Sequence, residues 1–133
     1  MDINLIKKNK LYYVEGETQP FSGYHEDYWD NGVLKETGDY KEGLKDGLWR
    51  CYFENGILFE VGLYKIGKVE GHWKVYFPDG QLSADLHFKD NKLDGYCEYY
   101  RDDGVSQEIV LYHNDQRIET LQKSKHPKQN KIN

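Results

Sequence analysis

The glycines of this chain recur every 24 residues, in two series. The first series is Gly23, Gly47, Gly71 and Gly95, and the second is Gly32, Gly56, Gly80 and Gly104. Each glycine of the second series follows Asn or Asp, and a tyrosine lies four residues before it. Self-similarity at a fixed period is typical of repeat proteins, in which each unit packs only on its neighbours. The period therefore predicts a stack of equivalent units.

Each repeat is predicted to form a β-hairpin. Asn-Gly and Asp-Gly pairs are strong hairpin signals, because a type I′ turn needs positive φ at both of its central residues. With Asn55-Gly56 as such a turn, Phe53 is expected to face Leu58. A second tight turn is predicted in every repeat, at Glu42-Gly43, Ile66-Gly67, Asp90-Asn91 and Asn114-Asp115. The chain is thus expected to run as a meander with two strands per repeat.

Side chains of a strand alternate between the two faces of a sheet. This alternation predicts one face, the aromatic face, formed by Trp49, Phe53, Leu58, Tyr64, Val69, Trp73, Val75, Phe77, Leu82, Leu86 and Phe88. On it, Gly62 and Gly71 are expected to face each other and to leave room for the large rings beside them. The residues that we assign to the repeat framework are Trp49, Gly56, Gly62, Gly71, Trp73 and Gly80.

The predicted fold is all-β, an elongated single-layer antiparallel meander of β-hairpin repeats. We place it in residues 1–118, as a half repeat at about 11–22 and full repeats at 23–46, 47–70, 71–94 and 95–118. About nine strands are expected. Cys97, Arg101 and Ser106 replace apolar or aromatic residues of the earlier repeats, and a more polar terminal repeat is typical of a cap. The segment 119–133 is predicted to be a disordered basic tail.

Charge is distributed unevenly between these two parts. The chain has 18 Lys and Arg against 23 Asp and Glu, a net charge of -5, yet residues 119–133 hold four lysines and one acid. An acidic body argues against nucleic-acid binding and favours basic partners. No apolar run approaches the length of a membrane span or the core of a signal peptide, so we expect a cytoplasmic protein.

The chain has two cysteines, Cys51 and Cys97. They form neither a disulfide framework nor a metal-ligand spacing, and we expect both to be reduced and structural. The glycines belong to hairpin turns and do not form a phosphate-binding loop. No cofactor and no metal ion are expected.

The unit G-x-W-x-x-Y-F-x-N-G-x-L-x-x-x-G-x-Y-x-x-G-x-x-D/E-G, which begins at Gly47 in one of its copies, resembles the MORN repeat (membrane occupation and recognition nexus). The resemblance covers residues 11–118. It is greatest to the variant repeats of bacterial proteins known as YwqK-family antitoxins. It implies a curved, single-layered sheet of stacked hairpins, and it implies binding: toxin neutralisation for the antitoxin type, and scaffolding, lipid contact or dimerisation for other MORN arrays.

Two pairs of side chains suggest chemistry, and each has a simpler explanation. His72 is expected opposite His87, a pair that could hold a metal ion, but no third ligand is evident and solvated surface histidines are the preferred explanation. Asp27 is expected opposite Glu36, as in a general acid/base pair. Acids recur in that column at Glu60 and Glu108, which favours a role in the repeat. Cys51 has no histidine to activate it.

The tyrosines of the repeat form the candidate protein interface. Tyr28, Tyr52, Tyr76 and Tyr100 fall on the second face of the sheet, which a one-layer fold leaves uncovered, with Glu26 and Glu98 beside them. Tyrosine suits interfaces because it gives a large amphipathic contact at low entropic cost. Cross-strand packing would equally explain the column, and the aromatic face is an alternative binding surface.

These observations predict a non-enzymatic protein-binding module. By the resemblance, its specific form is an antitoxin or immunity protein that sequesters a basic toxin. The alternative is a MORN scaffold that associates with membranes or with itself. Against membrane association stands the acidic body, and in its favour stands only the lysine-containing tail. A homodimer is compatible with either reading, because the ends of an array expose strand edges.

Overall fold

The structure is a computed structural model that describes residues 3–121. Over this range the chain forms strands joined by turns, and it contains no helix. The strands are β1 Leu5–Lys8, β2 Leu11–Val14, β3 Gly23–Tyr28, β4 Leu34–Lys41, β5 Leu44–Tyr52, β6 Leu58–Lys65, β7 Lys68–Tyr76, β8 Leu82–Lys89, β9 Lys92–Leu93, β10 Gly95–Tyr100, β11 Ser106–His113 and β12 Gln116–Leu121.

Strands β3 to β12 form one antiparallel sheet in the order β12-β11-β10-β8-β7-β6-β5-β4-β3, and the short β9 pairs with β8. Apart from the short β9, neighbours in the sheet are neighbours in sequence, which confirms the predicted all-β, single-layer meander. Strand β12 includes the first three residues of the segment predicted as a tail. Residues 122–133 lie outside the described residues, so the prediction that they are disordered is not tested.

The N-terminal residues form a separate two-stranded sheet of β1 and β2. The segment Leu11–Val14 is a strand, as predicted, but it pairs with β1 and not with β3, and the sequence analysis did not find β1. The hairpin is joined to the array by backbone hydrogen bonds: the Tyr12 N–H donates to the Gly43 carbonyl at 2.9 Å, and the Phe21 N–H donates to the Tyr12 carbonyl at 2.8 Å. It therefore covers the start of the main sheet beside the β4–β5 turn.

The two turns of each repeat have different geometries. At the second turn of each full repeat both central residues have positive φ, as in Ile66 (50°) and Gly67 (78°), which is the predicted two-residue type I′ turn. At the Asx-Gly turn only the glycine has positive φ, 88° at Gly56. There the Gly56 N–H donates to the Phe53 carbonyl at 2.9 Å, which makes a four-residue turn with a glycine bulge.

The type I′ prediction for Asn55-Gly56 is therefore wrong, and so is the facing of Phe53 and Leu58. A register shift after Cys51 pairs Leu58 with Tyr52. The physical reason is that the asparagine needs no positive φ here, because its side chain satisfies the turn: Asn55 Oδ1 accepts the Ile57 N–H at 2.9 Å. The equivalent Asx oxygen bonds the backbone in the other repeats.

The expected facing of Gly62 and Gly71 is also wrong. Gly62 pairs with Trp49 on one side and with Trp73 on the other. Gly71, with φ of 73°, lies at a register shift in β7, and a Cβ on it would meet nothing within 4 Å. Gly71 is therefore required for its backbone conformation, whereas Gly62 is required for space, as is Gly38, which the sequence analysis did not select.

The core is a single ladder of rings on the aromatic face. Trp49 and Trp73 are 1% and 5% exposed. Ring centroids are between 5.1 and 6.4 Å apart along the series Tyr40, Trp49, Tyr64, Trp73 and Phe88. Each indole N–H donates to a backbone carbonyl, of Asp39 at 3.0 Å and of Leu63 at 3.1 Å. In the last repeat Cys97 and Val110, both 0% exposed, continue the ladder with smaller side chains.

Candidate functional site

The second face of the main sheet carries three rows of side chains that run from hairpin to hairpin. The first row consists of the cross-strand pairs Tyr24 and Asp39, Leu48 and Leu63, His72 and His87, and Tyr96 and Leu111. The charged row consists of Glu26 and Thr37, Arg50 and Val61, Lys74 and Asp85, and Glu98 and Ile109. The tyrosine row consists of Tyr28, Tyr52, Tyr76 and Tyr100.

The first row exposes large apolar side chains to solvent. Leu48 and Leu63 are paired directly and are 44% and 47% exposed, while Tyr24 and Tyr96 are 56% and 54% exposed. They are exposed because, within residues 3–121, the main sheet has one layer and no second layer lies over this face. Contiguous exposed apolar side chains with polar neighbours are typical of interaction sites.

The structure places the predicted tyrosine row beside this surface, but only Tyr28 is strongly exposed, and Tyr52, Tyr76 and Tyr100 are half-buried. Sequence reasoning did not select Tyr24 and Tyr96 as contact residues. The signal was available, because each directly follows a glycine of the first series. The interface role of the tyrosine row stays a prediction.

Glu26 is held in place by its tyrosine neighbours. Tyr24 donates its hydroxyl proton to Glu26 Oε2 at 2.7 Å, and the Tyr28 hydroxyl donates to Oε1. The Tyr24 hydroxyl oxygen in turn accepts a hydrogen bond from the buried hydroxyl of Thr37. The hydrogen bonds from Tyr28 and Tyr24 lower the pKa of Glu26, so this carboxylate stays charged and oriented at the edge of the face.

Glu98 occupies the equivalent place at the other end of the charged row. The buried Ser106 hydroxyl donates to Glu98 Oε2 at 2.6 Å. Burial and then a hydrogen bond to Glu98 raise the pKa of Tyr100 to about 12, so this phenol stays protonated and can donate. Both predicted electrostatic residues, Glu26 and Glu98, are therefore tied to a tyrosine of the face, although no observation tests their contact with a partner.

The middle of the second face contains exposed cations in the charged row and a histidine pair in the first row. Arg50 and Lys74 are exposed. His72 faces His87 as the pairing predicted, with ring centroids 3.9 Å apart, and His72 Nδ1 is 2.8 Å from Asp85 Oδ1. His87 Nδ1 lies 2.7 Å from the Tyr96 carbonyl and therefore donates to it. These contacts engage the Nδ1 atom of each ring within the sheet.

A lysine occupies an aromatic and acidic cage on the aromatic face. Lys45 Nζ lies 3.3 Å from Glu36 Oε2, 4.4 Å from the Trp49 ring centroid and 5.3 Å from that of Tyr64. Cys51 Sγ donates to Glu36 at 3.6 Å. Burial, followed by the fields of Glu36 and Glu60, raises the pKa of Cys51 to about 12, which makes it a neutral thiol and a poor nucleophile.

The pair of Asp27 and Glu36 is opposite, as predicted. Glu36 is committed to Lys45, and Asp27 Oδ1 accepts the Tyr28 N–H at 3.0 Å. Within residues 3–121, no group of three or more His, Cys, Asp or Glu side chains is placed to hold a metal ion. Over the same residues, no helix is long and apolar enough to cross a membrane.

Comparison with known families finds three consecutive matches to the MORN repeat variant, at residues 22–42, 45–65 and 69–90. The chain is a MORN-repeat protein. The matched MORN segments are the successive hairpins that carry the Trp and Tyr ladder. The fourth repeat, in which Cys97 and Arg101 replace the aromatic residues, lies outside the match. Comparison with curated proteins gives no match.

MORN repeats are generally associated with binding to proteins or membranes and not with catalysis. In this MORN array the second face is where the large side chains Tyr24, Leu48, Leu63 and Tyr96 are exposed to solvent. The two acids that flank it are oriented by tyrosine hydroxyls, and the aromatic face is used for the core.

Proposed function

We propose that this MORN-repeat protein is a non-enzymatic binding module for a basic protein, with the second face of the sheet as its interface. The observation that carries the proposal is the first row, in which Tyr24, Leu48, Leu63 and Tyr96 expose apolar or aromatic surface. Such side chains, with polar groups around them, have the composition of protein interfaces.

The charge of the chain supports a basic partner. The net charge is -5, and the excess of acids lies in the repeats. The Glu26 carboxylate lies at the edge of the face and is kept ionised by two hydroxyls. A partner of opposite charge would be steered to such a surface and would associate faster at low ionic strength.

In its specific form, the proposed module is an antitoxin or immunity protein that acts in the cytoplasm by covering a basic toxin. This form is supported by the resemblance of the repeat unit to that of YwqK-family antitoxins and by the acidity of the repeats. Occlusion needs no catalytic group, since it requires only that the face cover the toxin's own site.

The experiment is a comparative affinity capture from the cytosol of the native host with three baits. The first is the wild-type protein, and the second carries Leu48→Asp and Leu63→Asp in the middle of the face. The matched control carries Ile66→Asp, which puts an acid at a 67% exposed apolar position in a turn away from the face. All three baits should fold, because the changed side chains are exposed.

The expected result is one basic protein that the wild type and the Ile66→Asp control retain and the double variant loses. Equal retention by all three baits would exclude the second face as the interface. Recovery of the bait alone, or of membrane lipid, would overturn the protein-binding proposal. The antitoxin form requires in addition that the captured protein arrest growth when expressed alone and that co-expression of the wild type relieve the arrest.

A further inference from the structure

His72 and His87 face each other in the first row of the second face. They are a directly opposed pair of β7 and β8, and their ring centroids are 3.9 Å apart. The side chain of His72 is 58% exposed. Two imidazoles that share one zinc ion each bind it at about 2.0–2.1 Å, so their donor nitrogens must lie within a few ångströms of each other. Rings with centres this close can reach one ion.

In each ring the Nδ1 atom is engaged within the sheet. His87 Nδ1 lies 2.7 Å from the Tyr96 carbonyl oxygen, which can only accept, so this nitrogen carries a proton. His72 Nδ1 lies 2.8 Å from Asp85 Oδ1. That oxygen is buried, and among the described residues no contact satisfies it with the geometry of a hydrogen bond. A carboxylate oxygen also only accepts, and two lone pairs would repel each other at this distance, so His72 Nδ1 carries a proton as well.

The Nε2 atoms are the ring nitrogens that this arrangement leaves as donors to a ligand. A neutral imidazole with its proton on Nδ1 has a lone pair on Nε2. Within residues 3–121, Nε2 of neither His72 nor His87 makes a hydrogen bond or an ion pair. Histidines that bind metal ions almost always donate their other ring N–H to a carboxylate or a backbone carbonyl, which fixes the tautomer and makes the ligand more basic. Asp85 and the Tyr96 carbonyl are acceptors of these two kinds.

We propose that His72 and His87 together bind one divalent transition-metal ion through their Nε2 atoms. Asp85 and the Tyr96 carbonyl position the two rings. Imidazole suits zinc, copper and nickel ions, whereas magnesium and calcium prefer oxygen ligands. Within the described part of the chain, no group of three or more His, Cys, Asp or Glu side chains is placed to hold a metal ion, so water or a donor of a bound protein completes the coordination. Only the second of these uses would rest on the proposed function.

Net charge does not explain metal binding at this pair. Lys74 lies directly opposite Asp85, and Lys89 follows His87 by two residues in β8. A site that attracted cations by charge alone would bind Mg²⁺ as well as Zn²⁺. Selectivity for Zn²⁺ over Mg²⁺ therefore separates coordination by imidazole from attraction to the acidic surface.

The test is isothermal titration calorimetry of the untagged full-length protein with Zn²⁺, and in parallel with Mg²⁺, at about pH 7.5, where an ordinary imidazole is mostly neutral. The ligand variant is His72→Asn, and the positioning variant is Asp85→Asn. The matched control is His113→Asn, which removes a 67% exposed imidazole that also lies beside an aspartate, with Nδ1 3.4 Å from Asp94 Oδ1. Circular dichroism of the metal-free variants checks that they fold.

The expected result is one Zn²⁺ bound per chain by the wild type and by His113→Asn, with no measurable binding of Mg²⁺. Asp85→Asn should weaken Zn²⁺ binding about tenfold, because loss of the acceptor behind a metal-binding histidine typically costs about 10–100-fold. His72→Asn, which removes a ligand outright, should weaken it at least about a hundredfold.

A second measurement on the wild type needs no variant. Long-range ¹H–¹⁵N NMR spectra of the histidine side chains report which ring nitrogen carries the proton. Before Zn²⁺ is added, His72 and His87 should both show the tautomer with the proton on Nδ1. After one equivalent, their Nε2 signals should shift more than those of His113.

Equal binding of Zn²⁺ by His72→Asn and the wild type would overturn the inference. Binding of Mg²⁺ as tight as that of Zn²⁺, or Nε2 signals that Zn²⁺ leaves unchanged, would overturn it as well. Undiminished binding by Asp85→Asn would overturn the positioning role of this residue. None of these results would bear on the proposed protein interface, which the capture experiment tests separately through Leu48 and Leu63.

Discussion

Gly62 lies beneath the indole of Trp73, so closely that a Cβ atom on Gly62 would stand 2.1 Å from Trp73 Cδ2. Gly38 lies beneath Trp49 in the same way, at 2.3 Å. A one-layer sheet has no second layer on which its rings can pack. Trp49 and Trp73 therefore pack on the backbone of the glycine in the preceding strand. The glycine and the tryptophan are therefore one structural unit, repeated at 24-residue intervals.

We expect Gly62→Ala to destabilise the fold by about 3 kcal/mol, the upper part of the range for overpacking, because a rigid indole cannot yield to the added methyl group. The control is Gly71→Ala, which has open space around its Cβ but a φ of 73°, and should cost about 1 kcal/mol. Urea unfolding of both variants measures the difference.

A double-mutant cycle separates overpacking from a backbone effect. When Trp73→Leu is already present, Gly62→Ala should cost much less than in the wild type, because the indole that it meets is gone. An unchanged cost in that background would show that the glycine is needed for another reason.

The period, the hairpins and the facing of some pairs could be predicted from the sequence, because they follow from the turn positions and the strand alternation. The pairs of His72 with His87 and of Asp27 with Glu36 are examples. The Asx-Gly turn type could not be predicted. A type I′ turn and a four-residue turn with a glycine bulge both need a left-handed glycine, and they differ in whether Asn55 itself takes positive φ.

The second face was likewise predictable from the sequence only in part. Its membership was predictable, since Tyr28 and Tyr52 follow the strand alternation. The degree of exposure was not predictable, because it depends on the bulges. The register shift at Gly71 and the one after Cys51 alter which neighbours lie beside each tyrosine. Tyr24 and Tyr96 are 56% and 54% exposed, against 43% for Tyr28. Strand β1 was not predicted, because its four residues Leu5–Lys8 show no alternation of apolar and polar side chains.

Asn55 joins two repeats through its side chain. Its Oδ1 accepts the Ile57 N–H at 2.9 Å within the turn, and its Nδ2 donates to the Pro78 carbonyl of the next turn at 3.0 Å. We expect Asn55→Asp to keep the first bond, lose the second and cost about 1 kcal/mol. Asn55→Ala, which loses both, should cost about twice as much.

The measurement is thermal and urea unfolding at a salt concentration that screens the added charge of Asn55→Asp. If Asn55→Asp were as stable as the wild type, the contact with Pro78 would contribute nothing to the coupling of neighbouring repeats. If Asn55→Asp and Asn55→Ala were equally destabilised, the bond to Ile57 would be the one without effect.

Cys51 should react very slowly in the folded protein. Burial and the neighbouring carboxyls of Glu36 and Glu60 raise its pKa to about 12, so at pH 8 on the order of one molecule in ten thousand carries the reactive thiolate. Iodoacetamide labelling of a Cys97→Ala variant, followed by mass spectrometry, measures Cys51 alone. We expect the rate in the native state to be at least about a hundredfold below that in urea.

The Glu36→Gln variant tests the cause of this protection. The charge of Glu36 raises the pKa of Cys51, so its removal should lower that pKa and speed the labelling while the protein stays folded. Native labelling as fast as in urea would contradict the burial of this thiol. Unchanged labelling of Glu36→Gln would assign the protection to burial and Glu60 without a contribution from Glu36.

Glu60 should lower the stability of the folded protein at neutral pH and not in acid, because its burial disfavours only the charged carboxylate. Burial raises the pKa of Glu60, and the contact with Cys51 and the charge of Lys45 offset this only in part. Because the folded-state pKa is higher than the unfolded value, the folded state binds the proton more tightly. The penalty for the charged carboxylate is thus absent below the unfolded pKa and fully present above the folded one.

We expect Glu60→Gln, which stays neutral, to be more stable than the wild type at pH 7 and equally stable at pH 4. Urea unfolding at both values tests this, with Glu119→Gln on the exposed edge strand β12 as the control that removes the same charge. A Glu60→Gln protein less stable than the wild type at pH 7 would show that the contacts with Lys45 and Cys51 outweigh the cost of burial.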